Sequence, residues 1–485
     1  MRKAFTAQLR LDVASVPDVQ LDFTCRDEIV PILRALQHIY ATPELRDEIL
    51  RRVAADVNSN TFHNRGREGL DYWHIVVLAS VRLGCNLNYD KLQDLSKNHW
   101  TLRAIMGLGE WDGTRFSWKR IRDNVCLLKP ETIRSINELL VVAGHRLVPE
   151  AVETTRADSF VMETNIHYPT ESTLIRDGIR KIIEMCVALA EEYGLEGWRQ
   201  HVYLQKQIKR TSRDIDRIAA KKGPNYQQRL QREYEKLLKQ SGRIVRRARA
   251  LCEQLGLPEA TAADVFARDS LQAYIARTER VQQTARRRVI HGETVPNSEK
   301  LLSIYEPHTQ LYKRGKAGEP VQFGRQVLIF EDAVGFITHY FLLPRDQGDK
   351  DVVVEQMRIA QDRLHGGIRR ASFDCGFHSP DNQRELAEIV PGLCLPKPGK
   401  QQAARQQATA SIQFRQARQS HPGVESAIGA LQSGNGLKRC RDGSERGFER
   451  YLALGILGRN LHTLGRLLIA HEAPLSKAAI TRRVA

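Results

Sequence analysis

Three acids define the chemistry this chain could perform: Asp158 in TTRADSFVMETN (154–165), Asp374 in RRASFDCGF (369–377) and Glu425 in HPGVESAIGAL (421–431). Carboxylates are hard oxygen donors, the ligand type that Mg²⁺ prefers while keeping several of its waters. Two such ions about 3.5 to 4 Å apart line up a water or a 3′-hydroxyl opposite the leaving oxygen of a phosphodiester. In such a site Asp158 would be shared between the ions, Asp374 would hold one and Glu425 the other. Each acid also has a plainer reading. Asp158 could be a paired core acid, although a buried carboxylate is costly without a partner or a metal. Asp374 could start a turn before Cys375 and Gly376, and Glu425, three residues after Pro422, could be a first-turn acid favoured by the helix dipole.

Bringing these acids together requires strands and a helix at the right places. Residues 154–165 are rich in Thr, Val and Phe and short, as a buried strand should be. A helix is expected from about Ser172 to Tyr193, ending at Gly194. Strand character returns at LLSIYEP (301–307) and at GRQVLIFEDAVGFITHYFLL (324–343), a hairpin turning near Glu331 and Asp332. A helix over 352–364, a strand at IRRASFDCGF, a helix over 379–389 with Ser379 as N-cap, and a short strand at GLCLPKPG follow. The Gln-, Arg- and Ala-rich stretch 399–420 reads as a loop, VESAIGALQ as the start of a helix ending near Gly434, and FERYLALGILGRNLHTLGRLL as a helix with one apolar seam. The order describes an α/β fold, a mixed sheet covered by helices. Glu163 and Asp332 are rival acids, ranked second because Glu163 falls on the opposite strand face from Asp158 and Asp332 lies in a turn.

The gap between the first two acids is about 215 residues, and much of it is one basic segment. Between Arg199 and Ala250 there are 16 Lys or Arg against 4 Asp or Glu. Leu230, Leu237, Ile244 and Leu251 step by seven, as do Ile208 and Ile215 before KKGPN (221–225). The pattern predicts two helices folded back at Gly223 and Pro224, an antiparallel hairpin of coiled-coil type, with a further helix over 259–288. Its sign bias points to phosphate contact, with Lys209, Arg210, Arg213 and Arg217 as candidates; a solvated spacer would mix the two signs. KRGKAGEPVQFG places Lys313, Arg314 and Lys316 around two glycines, where backbone can approach phosphate closely. His308 just before it could hydrogen-bond a phosphate or stay structural.

The N-terminal third reads as helical. Asp27 to Val57 carries an amphipathic helix pattern, 69–84 is apolar nearly all round, and DKLQDLSKNHWTLRAIMGL resembles helix, turn and helix. FSWKRIRDNVCLL (116–128) puts Trp118, Ile121, Val125 and Leu128 on one face, with Lys119, Arg120 and Arg122 off it. This could be a helix-turn-helix whose 116–128 helix enters a major groove, or a plain bundle with a basic face.

Composition fits a polyanionic partner. The chain of 485 residues carries a formal charge of +17 with pI near 9.6, which suggests nucleic acid, the plainer reading being a generally basic, soluble surface. Its 8 cysteines are scattered, with no zinc spacing, so they read as reduced packing residues of a cytoplasmic protein. No apolar signal region and no membrane-length apolar run is present, so neither secretion nor a membrane partner is expected.

The blocks ADSFVMETNIHYPTES, EPHTQLYKRGKAGEPVQFGRQV, FDCGFHSPDN and VESAIGALQSGNGLKRCRDGSERGFERYLALGILGRNLHTLGRLL resemble those of bacterial insertion-sequence transposases with an Asp-Asp-Glu core, over about 154–468. The resemblance implies an RNase H-like catalytic core, with Asp158, Asp374 and Glu425 as the triad. It also implies double-stranded DNA partners, inverted-repeat ends and target, cleaved and joined with two Mg²⁺ ions, for which Mn²⁺ can substitute, and a homodimer or higher oligomer on nucleoid DNA. The implied organisation is a helical DNA-binding or dimerising domain over 1–150, a first core segment over 151–195, a basic helical insertion over 196–295, the rest of the core over 296–470 and a basic tail over 471–485. There are departures. Such transposases often carry Arg four residues before the catalytic Glu and a basic residue two turns after it, where this chain has His421 and Gln432. Lys438, Arg439 and Arg441 are candidate substitutes for contacting end phosphate. A catalytically silent or domesticated DNA-binding protein that keeps the fold is the alternative, and a nuclease without strand transfer a third.

Overall fold

The computed structural model describes residues 14–59, 69–109, 112–254, 261–313, 321–399, 402, 406 and 411–484. Its strands are β1 (Thr154–Glu163), β2 (Gln310–Lys313), β3 (Val321–Asp332), β4 (Ile337–Leu342), β5 (Arg370–Phe373) and β6 (Gly392–Cys394). The chain divides into two units, Met1–Asn165 with Arg325–Ala485, and Ile166–Gly324.

The first unit holds a mixed open sheet in the order β4-β3-β1-β5-β6. β3 and β4 form an antiparallel hairpin, whereas β1 with β5 and β5 with β6 run parallel. Alternation along the strands assigns each face a helical layer. Ala157, Leu328, Phe330, Ala371 and Phe373 pack against α12 (Asp349–Arg363) and α13 (Pro380–Ile389). Ser379 caps α13 as expected, its Oγ accepting from Asn382 N at 3.0 Å. Phe160, Met162, Val327 and Ile329 face the opposite layer, together with Val424 and Leu431 of α15 (Gly423–Ser433) and residues of α16 (Glu445–Val484).

That layer also takes up the N-terminal helices: α1 (Ile29–Ala41), α2 (Pro43–Ser59), α3 (Tyr72–Gly84), α4 (Tyr89–Asn98), α5 (Trp100–Ile105), α6 (Trp118–Val125) and α7 (Pro130–Leu147). They share one hydrophobic core with the sheet, so the structure draws no domain boundary near residue 150. Long α16 is their common support. A Cβ on its Gly458 would lie 2.7 Å from Gly84 Cα of α3, and one on Gly465 would lie 1.8 Å from Pro31 O of α1. Backbone meets backbone at both crossings, which only glycine permits. Buried Asn460 of α16 exchanges two hydrogen bonds with Ile337: the Ile337 N–H donates to Oδ1 at 2.8 Å, and Nδ2 donates to Ile337 O at 2.9 Å. Arg82 of α3 forks onto Asp442 with bonds of 2.6 and 2.9 Å, tying the segment between α15 and α16 to the N-terminal layer.

The second unit is mainly helical: α8 (Glu171–Glu192), α9 (His201–Lys221), α10 (Tyr226–Gln254) and α11 (Ala262–Ala285). α9 and α10 form the expected hairpin. Lys222 and Asn225 take positive φ on either side of Gly223 and Pro224, and Ile208, Ile215, Leu237, Ile244 and Leu251 turn inward. β2 pairs antiparallel with the opening residues of β3, Lys313 opposite Val321. The second unit starts at Ile166 and ends at Gly324, wider than the 196–295 insertion that the resemblance implies, and α8 with Leu301 and Ile304 packs onto the same helical core as the hairpin.

Three local expectations are corrected. The helix expected over 27–57 is two helices, since Thr42 is extended ahead of Pro43. The stretch 301–307 is no strand: Leu301 and Ile304 are buried, but Ile304 O accepts from Arg277 at 3.2 Å, in place of a neighbouring strand. Part of the expected loop 399–420 is helical as α14 (Ile412–Ser420), capped by Ser411; most of 400–410 lies outside the described residues.

Two predictions follow from this packing. Gly465→Ala should lower stability by about 1–3 kcal/mol, against the usual helix preference for Ala, because Pro31 O has nowhere to go; denaturant melting of the purified chain measures it. Buried His339 donates from Nε2 to Gln356 Oε1 at 2.9 Å and accepts at Nδ1 from Arg363 at 3.0 Å, so the fold holds it neutral. Burial, with Arg363 and Arg134 nearby, pushes its pKa down to about 4, and burial beside Arg459 and Arg466 does the same to His462. The unfolded chain therefore takes up these protons first. Their contribution to stability is complete above about pH 6.5 and is lost as the pH falls toward about 4. Urea midpoints should drop between pH 7 and pH 5, and His339→Gln should flatten that drop.

Candidate active site

The site begins with strand register. β1 and β5 pair in parallel from Thr154 opposite Arg370 to Ala157 opposite Phe373. The residues that follow are Asp158 within β1 and Asp374 just past the end of β5, where the backbone stays extended at φ −77°, ψ 162°. Neighbouring strands are spaced by about 5 Å, which makes the two acids lateral neighbours. Ala157 and Phe373 are buried toward α12, so Asp158 and Asp374 project from the other face, where α15 lies.

Val424, Ala427 and Leu431 bury one side of α15, leaving Glu425 exposed in its first turn, where a negative charge also suits the helix dipole. His421, just ahead of this helix, ties it to β5: its Nδ1 lies 3.1 Å from Ser372 Oγ, one strand position on the same face from Asp374. Burial pushes the His421 pKa down, and Asp374 and Glu425 both act to raise it while Arg156 and Arg418 lower it. The imidazole thus feels the second and third acids together.

In this conformation Asp158 Oδ1 accepts from the Ser159 N–H at 2.7 Å and Asp374 Oδ1 from the Cys375 N–H at 2.6 Å. Among the described residues no group of three or more His, Cys, Asp or Glu side chains is gathered to hold a metal ion. The donor type is nonetheless right for a hard divalent cation: the two aspartates follow paired strand positions and Glu425 opens the helix on that sheet face, two of the three exposed and one half-buried.

The rival acids are engaged elsewhere. Asp332 is buried at the end of β3, where Oδ1 accepts from the N–H groups of Val334, Gly335 and Phe336 at 2.9–3.0 Å and Oδ2 pairs with His145 at 2.8 Å. It builds the hairpin turn. Glu163 lies five residues beyond Asp158 in β1 and pairs with Arg439 at 2.7 Å, its backbone bridging to 438–440.

Arg156, which residue type and spacing did not single out, sits under the start of α15. Its Nη2 donates to buried Glu331 Oε2 at 2.7 Å and its Nη1 to Ser420 O at 3.1 Å. Arg459 of α16 approaches the other Glu331 oxygen at 3.9 Å. Burial still leaves the Glu331 carboxyl above its usual pKa, against the pull of both arginines. The signal in the sequence was alternation: Arg156 and Asp158 share a strand face, and a cation two residues from the acid must lie next to it.

The basic residues assigned to DNA fall into different settings. Lys209, Arg210, Arg213 and Arg217 are exposed on α9, with Arg217 3.3 Å from Asp214. Lys313 is exposed at the end of β2, whereas Arg314 and Lys316 lie outside the described residues. On α6, Lys119 is exposed over the Trp118 ring, Arg122 pairs with Asp123, and Arg120 donates to Gly69 O at 3.2 Å. Arg441 is committed to Asn86 Oδ1 at 2.7 Å and Tyr451 Oη at 2.8 Å, and Arg439 to Glu163, while Lys438 is exposed. His308 is buried beside Glu306 at 3.6 Å, a structural setting more than a surface one.

No protein-family profile, no curated protein and no solved structure matches this chain.

Proposed function

We propose that this chain is a DNA transposase with an RNase H-like core, in which Asp158, Asp374 and Glu425 form the catalytic triad. One observation carries the reading: the β1–β5 register makes Asp158 and Asp374 lateral neighbours on the sheet face that bears the helix of Glu425. The strand order supports it. Numbering only the strands of the first unit along the chain, the sheet runs third, second, first, fourth, fifth, with an antiparallel hairpin followed by parallel strands, as an RNase H-like sheet would. The second unit is inserted between the strand of the first acid and that of the second.

In this reading the three carboxylates would hold two Mg²⁺ ions, which when bound would activate a water or 3′-hydroxyl and stabilise the leaving oxygen. The protein's own residues do the positioning. β1 and β5 present two acids side by side, α15 brings the third, and the basic face of α9 engages the phosphates of an end duplex. Strand hydrolysis adds water across a phosphodiester and frees a 3′-hydroxyl; in joining, that hydroxyl attacks a target phosphorus and the target strand's own 3′-oxygen leaves, one phosphodiester replacing another. The cationic total of +17 suits a protein that holds double-stranded DNA through several steps. A silent DNA-binding protein with the same fold would share every feature except turnover.

Asp158→Asn, Asp374→Asn and Glu425→Gln should each cut Mg²⁺-dependent cleavage of inverted-repeat ends, taken from DNA flanking the coding region, by on the order of 100-fold or more. Binding of the same duplex should persist. If all three variants cleave as wild type does, the triad assignment is wrong; nicked but never joined products would indicate a nuclease, and an inactive wild type that binds ends would favour the silent reading.

Replacing Lys209, Arg210, Arg213 and Arg217 together with Ala should weaken end binding and lower the slope of log K against log salt by roughly one for each phosphate that the variant no longer neutralises. Fluorescence anisotropy across a salt series reads this directly. An unchanged slope would make the hairpin a spacer or an assembly element.

A further inference from the structure

We propose that Arg156 is the positioning residue of this site: it sets where Glu425 stands relative to Asp158 and Asp374, and so whether the three acids can share a divalent cation. The inference rests on the triad proposed for this chain and concerns a residue with no role in that triad.

Arg156 lies two positions before Asp158 in β1 and projects from the same face. Its guanidinium is held from below by buried Glu331 of β3, through a 2.7 Å bond, and reaches up to Ser420 O, where α14 ends. Above it sits Gly423, the first residue of α15. A Cβ there would fall 2.0 Å from Arg156 Nη1 and 2.7 Å from Cζ, so the guanidinium occupies the space that a side chain at this position would need. Gly423 has no positive φ, and therefore close approach, not backbone conformation, is the reason for glycine at this point.

Glu425 is two residues further on, in the first turn of the same helix. The height and tilt of that turn over the sheet are fixed by the contact of Arg156 with Ser420 and Gly423 and by Val424 in the core below. Glu331 and Arg459 hold Arg156 in turn, linking the helix start to β3 and to α16. Arg156 touches no reacting atom in this scheme. It acts through Glu425, as residues that orient metal ligands do, and such residues are typically worth about 10–100-fold in metal affinity.

The test uses Mn²⁺ alone, titrated into the full-length chain and followed by the electron paramagnetic resonance of the free ion. Wild type, Arg156→Ala, Arg156→Lys, Gly423→Ala, Glu425→Gln and the doubles Arg156→Ala with Glu425→Gln and Arg156→Ala with Gly423→Ala are compared, each checked by a cooperative thermal melt. Arg156→Ala and Gly423→Ala are expected to weaken Mn²⁺ binding by about tenfold or more, Arg156→Lys by less. Because Arg156 acts through Glu425, the first double should bind no more weakly than Glu425→Gln by itself. Gly423→Ala should cost far less once Arg156 is already Ala, since the three atoms nearest the added methyl all belong to the Arg156 guanidinium.

Wild-type Mn²⁺ affinity in folded Arg156→Ala, or additive losses in either double, would overturn the proposal. If the wild type binds no Mn²⁺, or if an added Asp158→Asn control binds it as tightly as the wild type, the metal-site reading itself falls and this inference with it, an outcome distinct from a wild-type site that ignores Arg156. Should Arg156→Ala fail to fold, Gly423→Ala and Arg156→Lys carry the decision: wild-type affinity in both rejects the role.

Discussion

The parallel pairing of β1 with β5 is the constraint on which the site depends. Because side chains alternate along a strand, a slip of one residue would turn Asp374 into the hydrophobic layer under α12 and bring Phe373 out. The register is held by that same layer. Ala157, Ala371 and Phe373 fill the α12 face, and Phe377 and Leu386 continue it, so the acids stay on the open face by exclusion. Asp374 then ends the strand by capping the turn at Cys375, which leaves it exposed at the sheet's end.

Charge has been buried to hold the third acid's helix in place. Glu331 lies within the sheet with Arg156 on one side and Arg459 beyond, and burial raises its pKa in spite of both. A buried ion pair of this kind contributes little to net stability, since desolvation offsets most of the attraction, but removing one partner leaves a costly lone charge. Its service here is geometric: a guanidinium under Gly423 gives α15 one height over β1. α16 does the same work on a larger scale. Its glycines bring α1 and α3 to backbone contact, so the N-terminal helices and the sheet melt into one core instead of standing as separate domains. The basic hairpin belongs to the other unit, where apolar residues at seven-residue steps close α9 on α10 and leave the cations outward.

Much of the fold was legible in the residues. The hairpin at Gly223 and Pro224, the cap at Ser379 and the all-round apolar α3 follow from local rules, because turn chemistry, capping and burial each leave a mark in a few neighbouring residues. LLSIYEP misled because an apolar stretch reports burial and not its partner: the segment is buried against helices and its Ile304 carbonyl meets an arginine side chain. The break at Pro43 and the helix at Ile412–Ser420 were lost among otherwise continuous patterns. Among the candidate site residues, the acids stood out by type, whereas Arg439 and Arg441 looked free and are engaged with Glu163, Asn86 and Tyr451.

Sequence by itself determined most strands and helices near the acids and the sign of the charge on the hairpin, and it singled out the three carboxylates as candidates. These are properties of composition and of periods two, three-and-a-half and seven, which any short window contains. The tertiary structure decided which residues are neighbours. That Asp158 stands beside Asp374, that Asp332 also meets His145, and that Arg156 lies beneath Gly423 are consequences of strand pairing and helix packing between segments far apart in the chain. No local pattern carries that information, because register and close approach are set only when the whole sheet and its covering helices close on one another.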